Sequence, residues 1–88
     1  MPRFLNWKRI EMSIIIYELE NCPMCKMLKA YLDSLSVKYE VQDAQNFVFY
    51  LKNNGFGSVP VLEIDNRLFP FQSTMQILSL LREHGYDI

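Results

Sequence analysis

Apolar residues alternate between two periodicities along this chain and divide it into seven elements. From Ile14 to Leu19 the run Ile-Ile-Ile-Tyr-Glu-Leu is apolar except for Glu18, the pattern of a central strand covered on both faces. Cys25, Leu28, Leu32 and Leu35 then recur at helical spacing, with Lys26, Lys29 and Asp33 directed outward, which predicts a helix packed on that strand. Val37, Tyr39 and Val41 alternate with Lys38, Glu40 and Gln42, as a strand with one buried face would. Strand, helix and strand make a right-handed βαβ unit, so the two strands should run parallel.

Between Asp43 and Asn54, Phe47, Val48, Tyr50 and Leu51 predict a second helix, stopped by Asn53-Asn54-Gly55. Val59–Ile64 and Arg67–Phe71 flank Asp65-Asn66, a pair that tolerates the positive φ of a tight hairpin, and are expected to pair antiparallel. Ser73 is a suitable cap for a last helix with Ile77, Leu78 and Leu81 on one face, ended by His84-Gly85. The order is β-α-β-α-β-β-α, an α/β domain without internal repeats.

Both cysteines lie where the first strand meets the first helix, in Cys22-Pro23-Met24-Cys25. Cys22 is expected at the N-cap and Pro23 at the first helical position, where its missing N–H costs nothing. Free backbone N–H groups and the positive end of the helix dipole then favour a thiolate at Cys22, below the ~8.5 of an ordinary cysteine. Cys22 is therefore the candidate nucleophile, and Cys25, one turn in, the resolving thiol. A zinc site needs four ligands, and His84 is the one other soft donor, so no metal is expected within one chain. A disulfide across so short a loop has little structural value.

Composition narrows the setting. With 88 residues, half of them hydrophobic, there is room for one core and no second domain. A formal charge of −1 and a pI near 5.7 speak against a nucleic-acid surface. No segment approaches the ~18 consecutive apolar residues of a membrane span. No signal peptide is visible, so a reducing cytoplasm is the expected compartment. Residues 1–11 differ in character and precede Met12. They read as an extension dispensable to a domain spanning 12–88, or as a tail whose Phe4, Leu5, Trp7 and Ile10 pack on the sheet.

These residues resemble the glutaredoxin branch of the thioredoxin-like superfamily from Ile14 to Gly85. Tyr17 stands five residues before Cys22, Cys22-Pro23-Met24-Cys25 matches the family's Cys-Pro-x-Cys, and Ser58-Val59-Pro60 is similar to its Thr-Val-Pro. The resemblance implies a four-stranded mixed sheet of order 2-1-3-4 flanked by three helices. It also implies a cis Val59–Pro60 bond facing the sulfurs, with Ser58, Val59 and Pro60 beside Pro23 and Met24 as the substrate-binding residues. A cis X–Pro bond would leave the Val59 backbone free to pair with an extended substrate. Met24 offers a soft apolar contact, and Phe69 and Phe71 either extend that surface or join the core.

Several positions depart from a glutathione-using member. Leu19 and then Glu20 stand where a lysine is usual, Gly57 where arginine is common, and Pro70-Phe71 and Ser73-Thr74 where Gly-Gly and Ser-Asp close the glutathione site. Glu18 and Glu20 would temper thiolate formation, or stand simply as solvated charge at a strand end. The expected protein is a monomeric thiol–disulfide oxidoreductase with no bound cofactor. It would act on protein disulfides, ribonucleotide reductase among them, and be recharged by glutathione or an NADPH-dependent reductase. The competing readings are a non-catalytic binding module and a metal or iron–sulfur site shared by two chains.

Overall fold

The structure is a computed structural model, and it describes residues 13–88. The expectation about residues 1–11 lies outside the described residues. The elements are β1 (Ile14–Glu18), α1 (Pro23–Ser34), β2 (Glu40–Asp43), a 3₁₀ turn (Ala44–Phe47), α2 (Val48–Asn53), β3 (Val61–Ile64), β4 (Arg67–Pro70) and α3 (Thr74–Glu83).

The sheet has the order β2-β1-β3-β4. β1 pairs parallel with β2, Ile16 opposite Val41, and antiparallel with β3, Ile16 opposite Leu62. β4 closes the other edge antiparallel to β3. This is the mixed four-stranded sheet with three helices that the resemblance implied.

Register decides which side chains meet. Ile14 and Ile16 share a cluster with Leu62 and Ile64, and onto it pack Leu28 and Leu32 of α1 and Ile77 and Leu81 of α3. Tyr17 and Val61 belong to a second cluster with Ala44 and Leu51. The sheet is therefore covered on both faces, and all four residues of β3 are buried, Glu63 included.

The hairpin turn is as expected: Asp65 and Asn66 adopt φ of 50° and 70°. Ser73 caps α3 in a full capping box. Its Oγ accepts the Gln76 N–H at 3.1 Å, while Gln76 Oε1 accepts the Gln72 and Ser73 N–H groups at 2.7 and 3.4 Å. Both Phe69 and Phe71 pack against the core.

Three expectations need correction. The second strand starts at Glu40 rather than Val37, and Val41 is exposed because β2 is a sheet edge with neighbours on one flank only. Val37 is buried in the preceding loop, and Tyr39 donates its hydroxyl to Asp33 at 2.9 Å. The second helix is divided, because the Asp43 carboxylate accepts the Gln45 N–H at 2.9 Å and sets a 3₁₀ turn, after which Phe47 leaves helical geometry at φ −130°, ψ 25°. In α3, Leu78 is half-buried, and Leu80 packs on the core beside Ile77 and Leu81.

Candidate active site

The chain leaves β1 at Glu18 and enters α1 through Cys22, the N-cap, at φ −107° and ψ 103°. Pro23 is the first helical residue. The Cys22 Sγ accepts the Cys25 backbone N–H at 3.1 Å, taking one of the donors that every helix start leaves without an intrahelical partner. Cys22 and Cys25 are joined as a disulfide, with Cα atoms 5.3 Å apart. Cys22 is half-buried whereas Cys25 is 1% exposed, so an incoming group reaches Cys22 first.

The charges nearest this helix start sit at the end of β1. The first turn of α1 holds no acidic residue, and Lys29 Nζ lies 2.8 Å from the Glu18 carboxylate. Glu20 is exposed to solvent. The start of α1 and the Cys25 N–H face the Cys22 sulfur.

Beside β1 a cavity of about 440 Å³ opens. Leu19 forms one wall; Ala44, Gln45, Val48, Leu51 and Lys52 form another; Phe56, Gly57, Ser58 and Val59 form the third. Ser58 and Val59 thus line it together with Leu19, whereas Cys22, Pro23, Met24, Cys25 and the buried Pro60 do not belong to the lining. The Val59–Pro60 bond is cis. Lys52 brings one cation to a largely apolar wall, a residue that the sequence reading did not connect with the site.

A polar cluster around the buried Glu63 also escaped that reading. Glu63 Oε1 accepts the hydroxyls of Tyr17 at 2.8 Å and Tyr50 at 2.9 Å. Burial, and then the Glu63 carboxylate, push the Tyr17 hydroxyl far above its ordinary pKa; for Tyr50 the Glu63 hydrogen bond leads and burial follows. A glutamate inside Val61-Leu62-Glu63-Ile64 was the available signal, since a charge in a buried run needs a partner.

His84 does not approach the cysteines. It caps the C-terminus of α3 and lies 3.2 Å from Asp65 in the β3–β4 turn, at the opposite end of β1 from Cys22. Among the described residues, no three of His, Cys, Asp and Glu converge as metal ligands would.

The glutaredoxin family profile matches residues 14–69, a span running from β1 through the cysteine pair and cis proline into β4. The chain belongs to the glutaredoxin family. Among curated relatives, glutaredoxin 1 of Rickettsia typhi is 42% identical over 65 residues, covering 67% of this chain and 62% of that protein. Glutaredoxin 1 of Rickettsia felis is also 42% identical over 65 residues, with 64% of its length covered. The match therefore spans somewhat under two thirds of these relatives. Two solved structures share the fold. A thioredoxin-like protein superposes with a TM-score of 0.67 at 26% identity, over 80% of this chain and 95% of its own. A glutaredoxin from Archaeoglobus fulgidus gives 0.66 at 20% identity, over 93% and 99%.

Proposed function

We propose that this glutaredoxin-family protein reduces protein disulfides by a dithiol mechanism, and that glutathione serves it poorly. The observation that carries the first part is the half-buried Cys22 at a helix N-cap, its sulfur hydrogen-bonded to the Cys25 N–H, bonded to a fully buried Cys25. In the reduced protein the Cys22 thiolate attacks one sulfur of a substrate disulfide. A Cys22–substrate disulfide forms, and the other substrate sulfur leaves as a thiolate and takes a proton from water. Cys25, deprotonated, then attacks the Cys22 sulfur, which releases the second substrate thiolate and closes the Cys22–Cys25 disulfide. Two electrons have passed to the substrate, and an external thiol or reductase must return them. Pro23, Met24, Ser58, Val59 and Pro60 are assigned to holding the substrate, with the Val59 backbone pairing with an extended segment.

The second part rests on what surrounds the cavity. A glutathione molecule carries two carboxylates, and Leu19 and Gly57 bring none of the charge-assisted bonds worth about 1.5–3 kcal/mol each. Outside the cavity lining, the backbone N–H groups of Gln72 and Ser73 are already engaged by Gln76. Lys52 alone supplies a cation to the lining. The reading further assigns a monomer of the cytoplasm, with a reductase as electron source and a disulfide-bearing enzyme such as ribonucleotide reductase as client.

The test is turnover of insulin disulfides with glutathione and its reductase, compared with dithiothreitol. Glutathione is expected to saturate poorly. Leu19→Lys places a cation on the wall and should raise glutathione-dependent turnover by up to ~10-fold, the equivalent of about 1.4 kcal/mol, with the dithiothreitol rate almost unchanged. Gly57→Arg should act in the same direction, because a Cβ there meets nothing within 4 Å. Efficient, saturable turnover of the unmodified protein at low millimolar glutathione contradicts the second part. Absence of any insulin reduction contradicts the first.

A further inference from the structure

We infer that Tyr50 and Glu63 are positioning residues that fix the α2 wall of the cavity and thereby set the affinity for the disulfide substrate, an inference that rests on the redox reading above. α2 has six residues, Val48–Asn53, and Leu51 is its one buried residue. Its N-cap, Phe47, makes no side-chain capping bond. A helix this short does not hold itself, since nucleation costs more than a single turn of hydrogen bonds returns. Yet Val48, Leu51 and Lys52 make up its share of the cavity wall, so their placement depends on what ties α2 to the sheet.

Leu51 packs in one cluster with Tyr17 and Val61 of the sheet, and Tyr50 adds a hydrogen-bonded tie. Tyr50 lies on α2 between Leu51 and Phe49, is itself partly exposed, and its hydroxyl reaches Glu63 of β3 at 2.9 Å in a part-buried bond. The same Glu63 oxygen also accepts the Tyr17 hydroxyl of β1 at 2.8 Å. The rings add contacts: Tyr17 meets Phe47 edge-on at 5.0 Å and Tyr50 at 6.1 Å, and Phe47 meets Tyr50 at 6.4 Å. One carboxylate oxygen thus joins β1, whose chain continues into Leu19, to the helix that carries Lys52. None of the three residues lines the cavity, so the effect passes through α2 rather than through contact with substrate.

The experiment is steady-state reduction of insulin, driven by dithiothreitol, by the full chain carrying Tyr50→Phe, Tyr17→Phe or Glu63→Gln. Tyr50→Phe keeps the ring and removes the tie. Its KM for insulin should rise by roughly 3- to 10-fold, the range for one lost hydrogen bond, with kcat unchanged. Glu63→Gln keeps an accepting oxygen in place and should restore a KM within about twofold of wild type. Tyr17→Phe, which leaves the α2 tie intact, should do the same. Amide hydrogen exchange in α2 should accelerate in Tyr50→Phe alone. An active wild-type protein whose KM ignores Tyr50→Phe, or whose KM rises equally with Tyr17→Phe, overturns this inference alone. A wild-type protein that reduces no insulin overturns the redox reading and this inference with it.

Discussion

Cys22→Ser should bring insulin-disulfide reduction down to the rate seen without protein, whereas Cys25→Ser should still form mixed disulfides and trap its clients. The asymmetry follows from where each sulfur sits. Cys22 is the half-buried N-cap, and its sulfur already accepts a backbone N–H that would stabilise its thiolate. Cys25 is 1% exposed and lies on the helix face that packs inward with Leu28 and Leu32, where a bulky disulfide cannot reach it directly. A serine hydroxyl at Cys22 is a far weaker nucleophile toward sulfur at neutral pH, because thiolate character governs the attack. The check is the rate of insulin reduction for both variants together with the mass of adducts trapped by Cys25→Ser. Equal retention of turnover by the two variants contradicts the division of roles.

Leu28→Ala should cost the fold about 2–5 kcal/mol, a large share of the ~5–15 kcal/mol that holds a domain together. Leu28 is completely buried one turn beyond Cys25, in the cluster where α1 meets Ile16 and Leu62 of the sheet. Removing its side chain opens a cavity at the contact that seats α1, and with it the cysteine pair, on the sheet. Thermal unfolding reads the loss as a drop in melting temperature of at least ~10 °C. Met27→Ala, one residue away and half exposed, should stay within about 0.5 kcal/mol of wild type. A Leu28→Ala protein that melts with wild type would show that α1 is held by something other than this packing.

The parts of the fold legible in the sequence are those where a local signal and the tertiary environment agree. Cys25, Leu28 and Leu32 recur at the helical period because that face is the buried one. Pro23 marks the helix start because proline at the first position loses nothing. Asp65-Asn66 and the Ser73 cap were legible for the same reason, each being a conformation that only a few residue types favour. The divided second helix was not, because Asp43 as a cap and Phe47 as a break act through hydrogen bonds and dihedrals that apolar spacing does not encode. Val41 follows the alternation of a buried strand, but its place on an edge is a property of strand order.

At the site, the cysteine pair was legible from its own four residues. Lys52 and the Tyr17–Glu63–Tyr50 cluster were not, because the cluster joins residues 46 and 13 positions apart. Leu19, three residues before Cys22, and Gly57, three before Pro60, are departures legible in the sequence, and the cavity brings both into one lining with Lys52. The pairing of Glu18 with Lys29 across two elements was likewise not encoded in local spacing.

The central claim is that Cys22 is the activated sulfur, and site-resolved alkylation of the reduced protein tests it most directly. Limited iodoacetamide at pH 7, followed by mass mapping, is expected to label Cys22 first, with a pH dependence placing its pKa below the ~8.5 of a free cysteine. Preferential labelling of Cys25, or a Cys22 that titrates as an ordinary thiol, would contradict the account.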